Sequence, residues 1–272
     1  MSVHTPARRL TTRDIAAMRR RGEPIAMLTA YDAIMAALVE SAGIDMILIG
    51  DSLGNVVLGH ETTLPVTLDD MIRHAAAVKR GTSRALLVCD MPFGSVTDPA
   101  QALANAVRVM KETGVEAVKV EGGLAMVPMV EALVAHGIAV IGHIGLTPQA
   151  VHQMGGYYMH GKDDASAARL REEAKALEAA GVFALVLECV TPALASEITR
   201  ALTIPTIGIG SGKDCAGQVL VVNDLIGLNV SPPPGFARPR ADVAAIIRGA
   251  VGEYVAETKA ERQPIPMSRR AE

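Results

Sequence analysis

The chain has 272 residues and no tryptophan, and its only other aromatics are three Phe and four Tyr. Its core must therefore rest on Ala, Val, Leu, Ile and Met. That composition suits helices packed closely on a parallel sheet better than a sandwich or an aromatic ligand cage. Only three cysteines occur, Cys89, Cys189 and Cys215, in no CxxC or CxxH arrangement. A disulfide framework or zinc site is thus not expected, and a reducing cytoplasm fits. No apolar run approaches the roughly 18 residues of a membrane span. The longest, around 182–190, is interrupted by Glu188. The opening residues, MSVHTPARRL, lack an apolar stretch of signal-peptide type. A net charge of −3 leaves no dense basic patch for nucleic acid. No Lys/Arg-rich amphipathic helix marks a membrane surface either. Half the residues are apolar and the mean hydropathy is +0.28, high for the soluble protein these absences predict.

What is present is an alternation. Short, nearly continuous apolar runs at 25–30, 46–50, 85–89, 117–120, 139–142, 184–187, 206–209 and 218–222 read as strands buried on both faces. Between them lie helical patterns at 32–41, 68–79, 99–111, 124–135, 166–180 and 192–201. Thr97-Asp98-Pro99 supplies a cap and a first-turn proline. Gly43, Gly81, Gly114, Gly137 and Gly181 are expected as left-handed caps leading into the next strand. Such a chain closes as a barrel or winds into an open sheet. The first strand lacks a GxGxxG after it, and the count of eight favours a (β/α)₈ barrel, which needs roughly 250 residues as one domain. Residues 11–21 read as an extra N-terminal helix closing the barrel bottom, and 241–260 as the final helix. The domain is expected to span 1–261, with 262–272 a mobile polar tail.

The informative feature is what ends each strand. MILIGD ends in Asp51, LLVCD in Asp90, VKVE in Glu121, VIGH in His143 and VLE in Glu188. In a barrel all of these project at the C-terminal mouth, where active sites are built. Any one of them alone could be a helix cap or loop residue. Five at strand ends, with Lys119 two residues before Glu121 and so on the same face, make a site. Three converging carboxylates repel one another and are costly to desolvate, a cost that a divalent cation removes. Oxygen-only ligands favour Mg²⁺ first and Mn²⁺ second. Such an ion can chelate a 2-oxo acid and stabilise its enolate. Lys119 can add charge to the same oxygens, which leaves Glu188 free as the base. GIGSG at 208–212 follows the seventh strand, where barrels often hold phosphate, but a tight turn needs the same residues. His136 reads as a surface residue at a helix end, and Cys89 and Cys189 as core residues turned towards the helices.

The segments TAYD, LIGDSLGNVVLGHETTLPVT, CDMPFGS, VKVEGG, GHIGLTPQ, VLECV and IGIGSG resemble the ketopantoate (3-methyl-2-oxobutanoate) hydroxymethyltransferase family over about residues 10–258. The resemblance implies a barrel of the phosphoenolpyruvate/pyruvate type. It also implies transfer of a one-carbon unit from 5,10-methylenetetrahydrofolate to 3-methyl-2-oxobutanoate, giving 2-dehydropantoate in pantothenate synthesis. It makes Asp51 and Asp90 metal ligands and places Glu121 in the metal site. Ser52 and Lys119 bind the oxo acid with those aspartates, His143 lines the pocket and Glu188 accepts the proton. A homodecamer is implied as well. Relatives often read GIGAG where this chain has Ser211. The competing readings are a Mg²⁺-dependent C–C lyase or mutase of the isocitrate-lyase-like group and a non-catalytic barrel that binds a small acid. The first typically carries a KKCGH-type cysteine loop, which is missing here.

Overall fold

A computed structural model describes residues 8–260. The expected tail at 262–272 lies outside the described residues. In chain order the elements are α1 (Thr12–Arg21), β1 (Ile25–Thr29), α2 (Ala33–Ser41), β2 (Met46–Ile49), α3 (Leu53–Val56), α4 (Leu68–Arg80), β3 (Leu86–Asp90), α5 (Pro99–Thr113), β4 (Ala117–Glu121), α6 (Val127–Ala135), β5 (Val140–Gly145), α7 (Val151–Met154), α8 (Asp164–Ala179), β6 (Ala184–Glu188), α9 (Pro192–Ala201), β7 (Thr206–Ile209), β8 (Gly217–Leu220), α10 (Val222–Ile226) and α11 (Val243–Ala260). The eight strands are parallel and follow one another in sequence order round a closed barrel, with β8 pairing back to β1. This is the (β/α)₈ architecture the alternation predicts.

Within the barrel, side chains alternate. Ile25 and Met27, Met46 and Leu48, Leu86 and Val88, Ala117, Ile141, Ala184 and Val186, Ile207 and Val219 form one cluster filling the interior. Ile15 and Met18 of α1 join it from below, so the extra helix does plug the barrel bottom. α1 starts there because Thr11 and Asp14 close a capping box, and it stops at Gly22 in the left-handed region. Burying each of those two side chains stabilises the plug by roughly 1.5–3 kcal/mol, so Ile15→Asp would lift it off.

The helix starts follow their caps. Asp98 accepts from Ala100 and Gln101 ahead of Pro99, as the sequence suggests, and Thr67 with Asp70 caps α4. One expectation fails. Gly43, Gly114, Gly137 and Gly181 have positive φ, but Gly81 ends α4 at φ −86°. Its glycine has a steric cause, since a Cβ there would stand 2.2 Å from the Ala33 carbonyl oxygen of α2. The helix expected over 124–135 also begins with a tighter 3₁₀ turn, Leu124–Met126, before α6.

The described residues form two compact units, one ending at Val222 and the next beginning at Asn223. The first holds all eight strands. In the second, Arg240 N–H donates to the Leu225 carbonyl (2.7 Å) and Asn229 donates to Asp224 (2.7 Å), ahead of α11. No helix among the described residues is long and apolar enough to cross a membrane.

Candidate active site

The strand alternation that fills the interior continues upward into the site. Asp90 has the parity of Leu86 and Val88, Lys119 and Glu121 that of Ala117, His143 that of Ile141, and Glu188 that of Ala184 and Val186. All five side chains therefore point inward at the C-terminal end. Register sets the neighbours: Asp90 pairs with Lys119 across β3 and β4, and Glu121 with His143 across β4 and β5. The contacts follow. Lys119 Nζ lies 3.0 Å from Asp90 Oδ1, 3.5 Å from Glu121 Oε1 and 3.1 Å from His143 Nδ1. His143 Nδ1 is 3.3 Å from Glu121, and its Nε2 is 3.1 Å from Glu188 Oε2. β5 runs past His143 to Gly145, so this histidine sits inside its strand and not at its end.

Asp51 arrives differently. β2 ends at Ile49, and the inward position is Gly50. A Cβ at Gly50 would meet Ser52 Oγ at 2.8 Å and Asp90 Oδ2 at 3.5 Å. Glycine leaves space for the chain to turn, and Asp51 N–H then donates to Asp90 Oδ2 (3.0 Å). Ser52 Oγ lies 2.9 Å from the hydroxyl of Tyr31, just beyond β1.

Four carboxylates, Asp51, Asp90, Glu121 and Glu188, thus share the mouth with one lysine and one histidine. Burial, then repulsion from Glu121 and Asp90, pushes Asp51 well above the usual carboxylate range. Burial also raises Asp90, although Lys119 pulls against it. Burial opposes charge on Lys119, but Asp90, Glu121 and Asp51 outweigh it and raise the ammonium's pKa. Burial would likewise raise Glu121, yet Lys119 and His143 hold it down at about 2. His143 is disfavoured as a cation by burial and by Lys119, but Glu121 and Glu188 lift it to about 9. The imidazole stands between two carboxylates, Glu121 and Glu188. Glu188 is the most accessible of these groups, its side chain 14% exposed against 3–4% for His143, Lys119 and Glu121.

The profile of the family described as ketopantoate hydroxymethyltransferase matches residues 9–266. The chain belongs to that family. A relative from Magnetococcus marinus named 3-methyl-2-oxobutanoate hydroxymethyltransferase is 50% identical, covering 95% of this chain and 97% of the relative. One of the same name from Roseiflexus is 54% identical, covering 91% and 89%. Among solved structures, a 2,3-dimethylmalate lyase of the PEP mutase/isocitrate lyase superfamily aligns with a TM-score of 0.56 at 18% identity, covering 96% of this chain and 91% of that one. A phosphonopyruvate hydrolase solved with oxalate and Mg²⁺ aligns at 0.63 and 14%, covering 93% and 88%. These two share the (β/α)₈ barrel fold.

In this hydroxymethyltransferase-family chain, every strand-end residue singled out from the sequence reaches the mouth. Two side chains there are not strand-end acids or bases and escaped that reading. Tyr31 comes from TAYD. Gln149 comes from GHIGLTPQ and donates through Nε2 to Asp51 Oδ2 (2.8 Å). Both motifs were noticed only for their resemblance. Ser211 of GIGSG has a structural use, for its hydroxyl accepts from Val190 N–H (2.9 Å) and donates to the Leu187 carbonyl (2.8 Å). His136 is exposed at the end of α6, and Cys89 is buried on the helix side of β3, as expected.

Directly after Glu188, Cys189 has φ +48°, the one positive φ at a non-glycine among the described residues. The peptides on either side are pinned. Glu188 O accepts from Leu146 N–H (2.8 Å), Cys189 N–H donates to Ile209 O (2.9 Å), and Cys189 O accepts from His160 N–H (2.7 Å). A left-handed non-glycine costs about 1–3 kcal/mol, which these bonds hold in place.

No group of three or more His, Cys, Asp or Glu side chains among the described residues is arranged as a ready cage for a metal ion. Lys119 instead stands between Asp90 and Glu121 as the local cation. The donor chemistry does fit a hard divalent ion. Asp51, Asp90 and Glu121 offer oxygen only, and all three are buried. Burial with repulsion from Glu121 and Asp90 disfavours charge on Asp51, a cost that a cation would relieve.

Proposed function

We propose that this chain transfers a hydroxymethyl group to 3-methyl-2-oxobutanoate, with 5,10-methylenetetrahydrofolate as the one-carbon donor, giving 2-dehydropantoate for pantothenate synthesis. The names of its relatives, at about half identity over nearly the full chain, support the reaction. The observation that carries the mechanism is the meeting of Lys119 and the Asp51–Asp90–Glu121 acids with a separate carboxylate, Glu188, held across His143.

The oxo acid's carboxylate and keto oxygens bind against Lys119 and Ser52, and the buried ammonium stabilises the charge that grows there. Glu188 takes the proton from C3 of the substrate, and His143 holds that carboxylate in position. Water hydrolyses both C–N bonds of the donor's bridging methylene, its two protons going to the freed nitrogens. The carbon nucleophile adds to the resulting formaldehyde carbon. The oxygen, which came from water, takes back a proton from Glu188 to become the hydroxyl. Asp51, Asp90 and Glu121 would hold Mg²⁺, or Mn²⁺ in its place. Bound there, the ion supplies Lewis-acid charge that acidifies the C3 hydrogen.

The deciding experiment is an assay for 2-dehydropantoate with and without Mg²⁺. Product that forms only with both the metal and the folate donor supports the reading. Its absence under all conditions overturns it.

A further inference from the structure

We infer that Gln149 is a positioning residue that sets the Asp51 and Glu121 carboxylates to accept one cation together. It lies in the 3₁₀ turn Pro148–Ala150 that follows β5. Its side-chain Nε2 donates both to Asp51 Oδ2 (2.8 Å) and to the Met91 carbonyl (3.0 Å). Its backbone N–H donates to Glu121 Oε2 (3.1 Å). A single residue thus touches two of the three acids. Through Met91 it also grips the chain immediately after the third, Asp90. Two acceptors facing Nε2 require the amide nitrogen there, so the orientation of the carboxamide follows from its partners.

The residue type matters. A carboxamide offers two N–H donors without charge, so it occupies one oxygen of Asp51 and fixes that group's rotation without neutralising it. A glutamate here would add a fifth carboxylate and no donor. A lysine would supply the positive charge that the acids otherwise require from a metal. Gln149 also ties the ends of β2, β3 and β4 to the loop after β5, so the three acids keep their spacing whether or not an ion is present. Partners of this kind, one layer behind metal ligands, typically change affinity or activity by about 10–100-fold when removed.

The inference rests on the proposal that Asp51, Asp90 and Glu121 hold the metal, and the test separates the two. Binding of Mn²⁺ to the full-length protein, without oxo acid, is measured by the loss of the free-ion EPR signal. Gln149→Met keeps the length and bulk but has no donor, and Gln149→Asn keeps the amide but is too short to reach Asp51. Each should bind Mn²⁺ about 10-fold to 100-fold more weakly than the parent chain. Each should also need correspondingly more Mg²⁺ for half-maximal activity, with kcat at saturating metal much less affected and the melting temperature nearly unchanged. Parent-like Mn²⁺ affinity in either folded variant overturns the role of Gln149 alone. A parent chain that binds no Mn²⁺ overturns the metal reading beneath it as well.

Discussion

His143 and Glu188 face each other on β5 and β6 with Nε2 and Oε2 3.1 Å apart, while the other ring nitrogen of His143 lies 3.3 Å from Glu121. The imidazole is therefore a spacer between Glu121, which lies beside Lys119, and a carboxylate kept apart from that group. Glu188→Gln retains the shape and the contact but cannot take a proton. Exchange of the C3 hydrogen of 3-methyl-2-oxobutanoate with D₂O should fall at least about 100-fold, the lower range for loss of a general base. Exchange at the parent rate would move the base to another group.

The same spacer makes stability depend on pH. His143 lies at about 9 in the fold against 6.5 ordinarily, so its contribution is complete below about 6.5 and is lost as pH rises through 9. Asp51, raised by burial, acts with the same sign. Glu121, held at about 2 against 4.5, contributes above 4.5 and loses that contribution as pH falls towards 2. The melting temperature of metal-free protein should therefore decline as pH rises from about 6.5 through 9. His143→Gln should lower the plateau and flatten the alkaline side. A parent melting temperature that stays constant from pH 6.5 to 10 contradicts the arrangement.

Asp51→Asn removes one negative charge from a crowded group while keeping an acceptor for Gln149. The metal-free protein should melt at the parent temperature or higher, because the buried repulsion is relieved. Activity should drop at least about 100-fold, the scale of losing one preorganised electrostatic group. Parent-level turnover at saturating Mg²⁺ would remove Asp51 from the site.

Lys119→Ala takes away the cation between Asp90 and Glu121. It should destabilise the fold by about 3–5 kcal/mol, the range for breaking a buried pair. It should also raise KM for the oxo acid. Lys119→Arg should recover part of the stability and little of the activity, since a planar fork does not replace a compact charge in so confined a place. An unchanged KM and kcat for Lys119→Ala would reduce this lysine to a structural counterion.

Assembly can be checked directly. The family resemblance implies a homodecamer. A ten-chain particle is the expected result in light scattering. A stable monomer at micromolar concentration would rule it out.

The eight strands were legible as short, nearly continuous apolar runs, and side-chain alternation along β3, β4 and β6 carries an acid to the end of each. That pattern also assigns Asp90, Glu121 and Glu188 to one face without coordinates. Asp51 was placed correctly for a partly wrong reason, since a turn at Gly50 brings it in and not strand alternation. Gly81 was misread because crowding by a neighbouring helix leaves no mark on local sequence. Gln149 was missed because a neutral amide carries no signal until the residues it bonds, 58 and 98 positions away, are seen beside it.

The left-handed turn at Cys189 has a consequence for how activity decays with heat. Glu188 is aimed by a backbone whose bonds run to β7, to the loop after β5 and to the segment at His160. Releasing that backbone means breaking its bond into β7 as well as those to the two neighbouring segments. Inactivation by heat should therefore coincide with loss of the barrel itself, with no inactive but folded stage before it. The amides of Leu146 and Cys189 should be among the slowest in the chain to exchange with solvent.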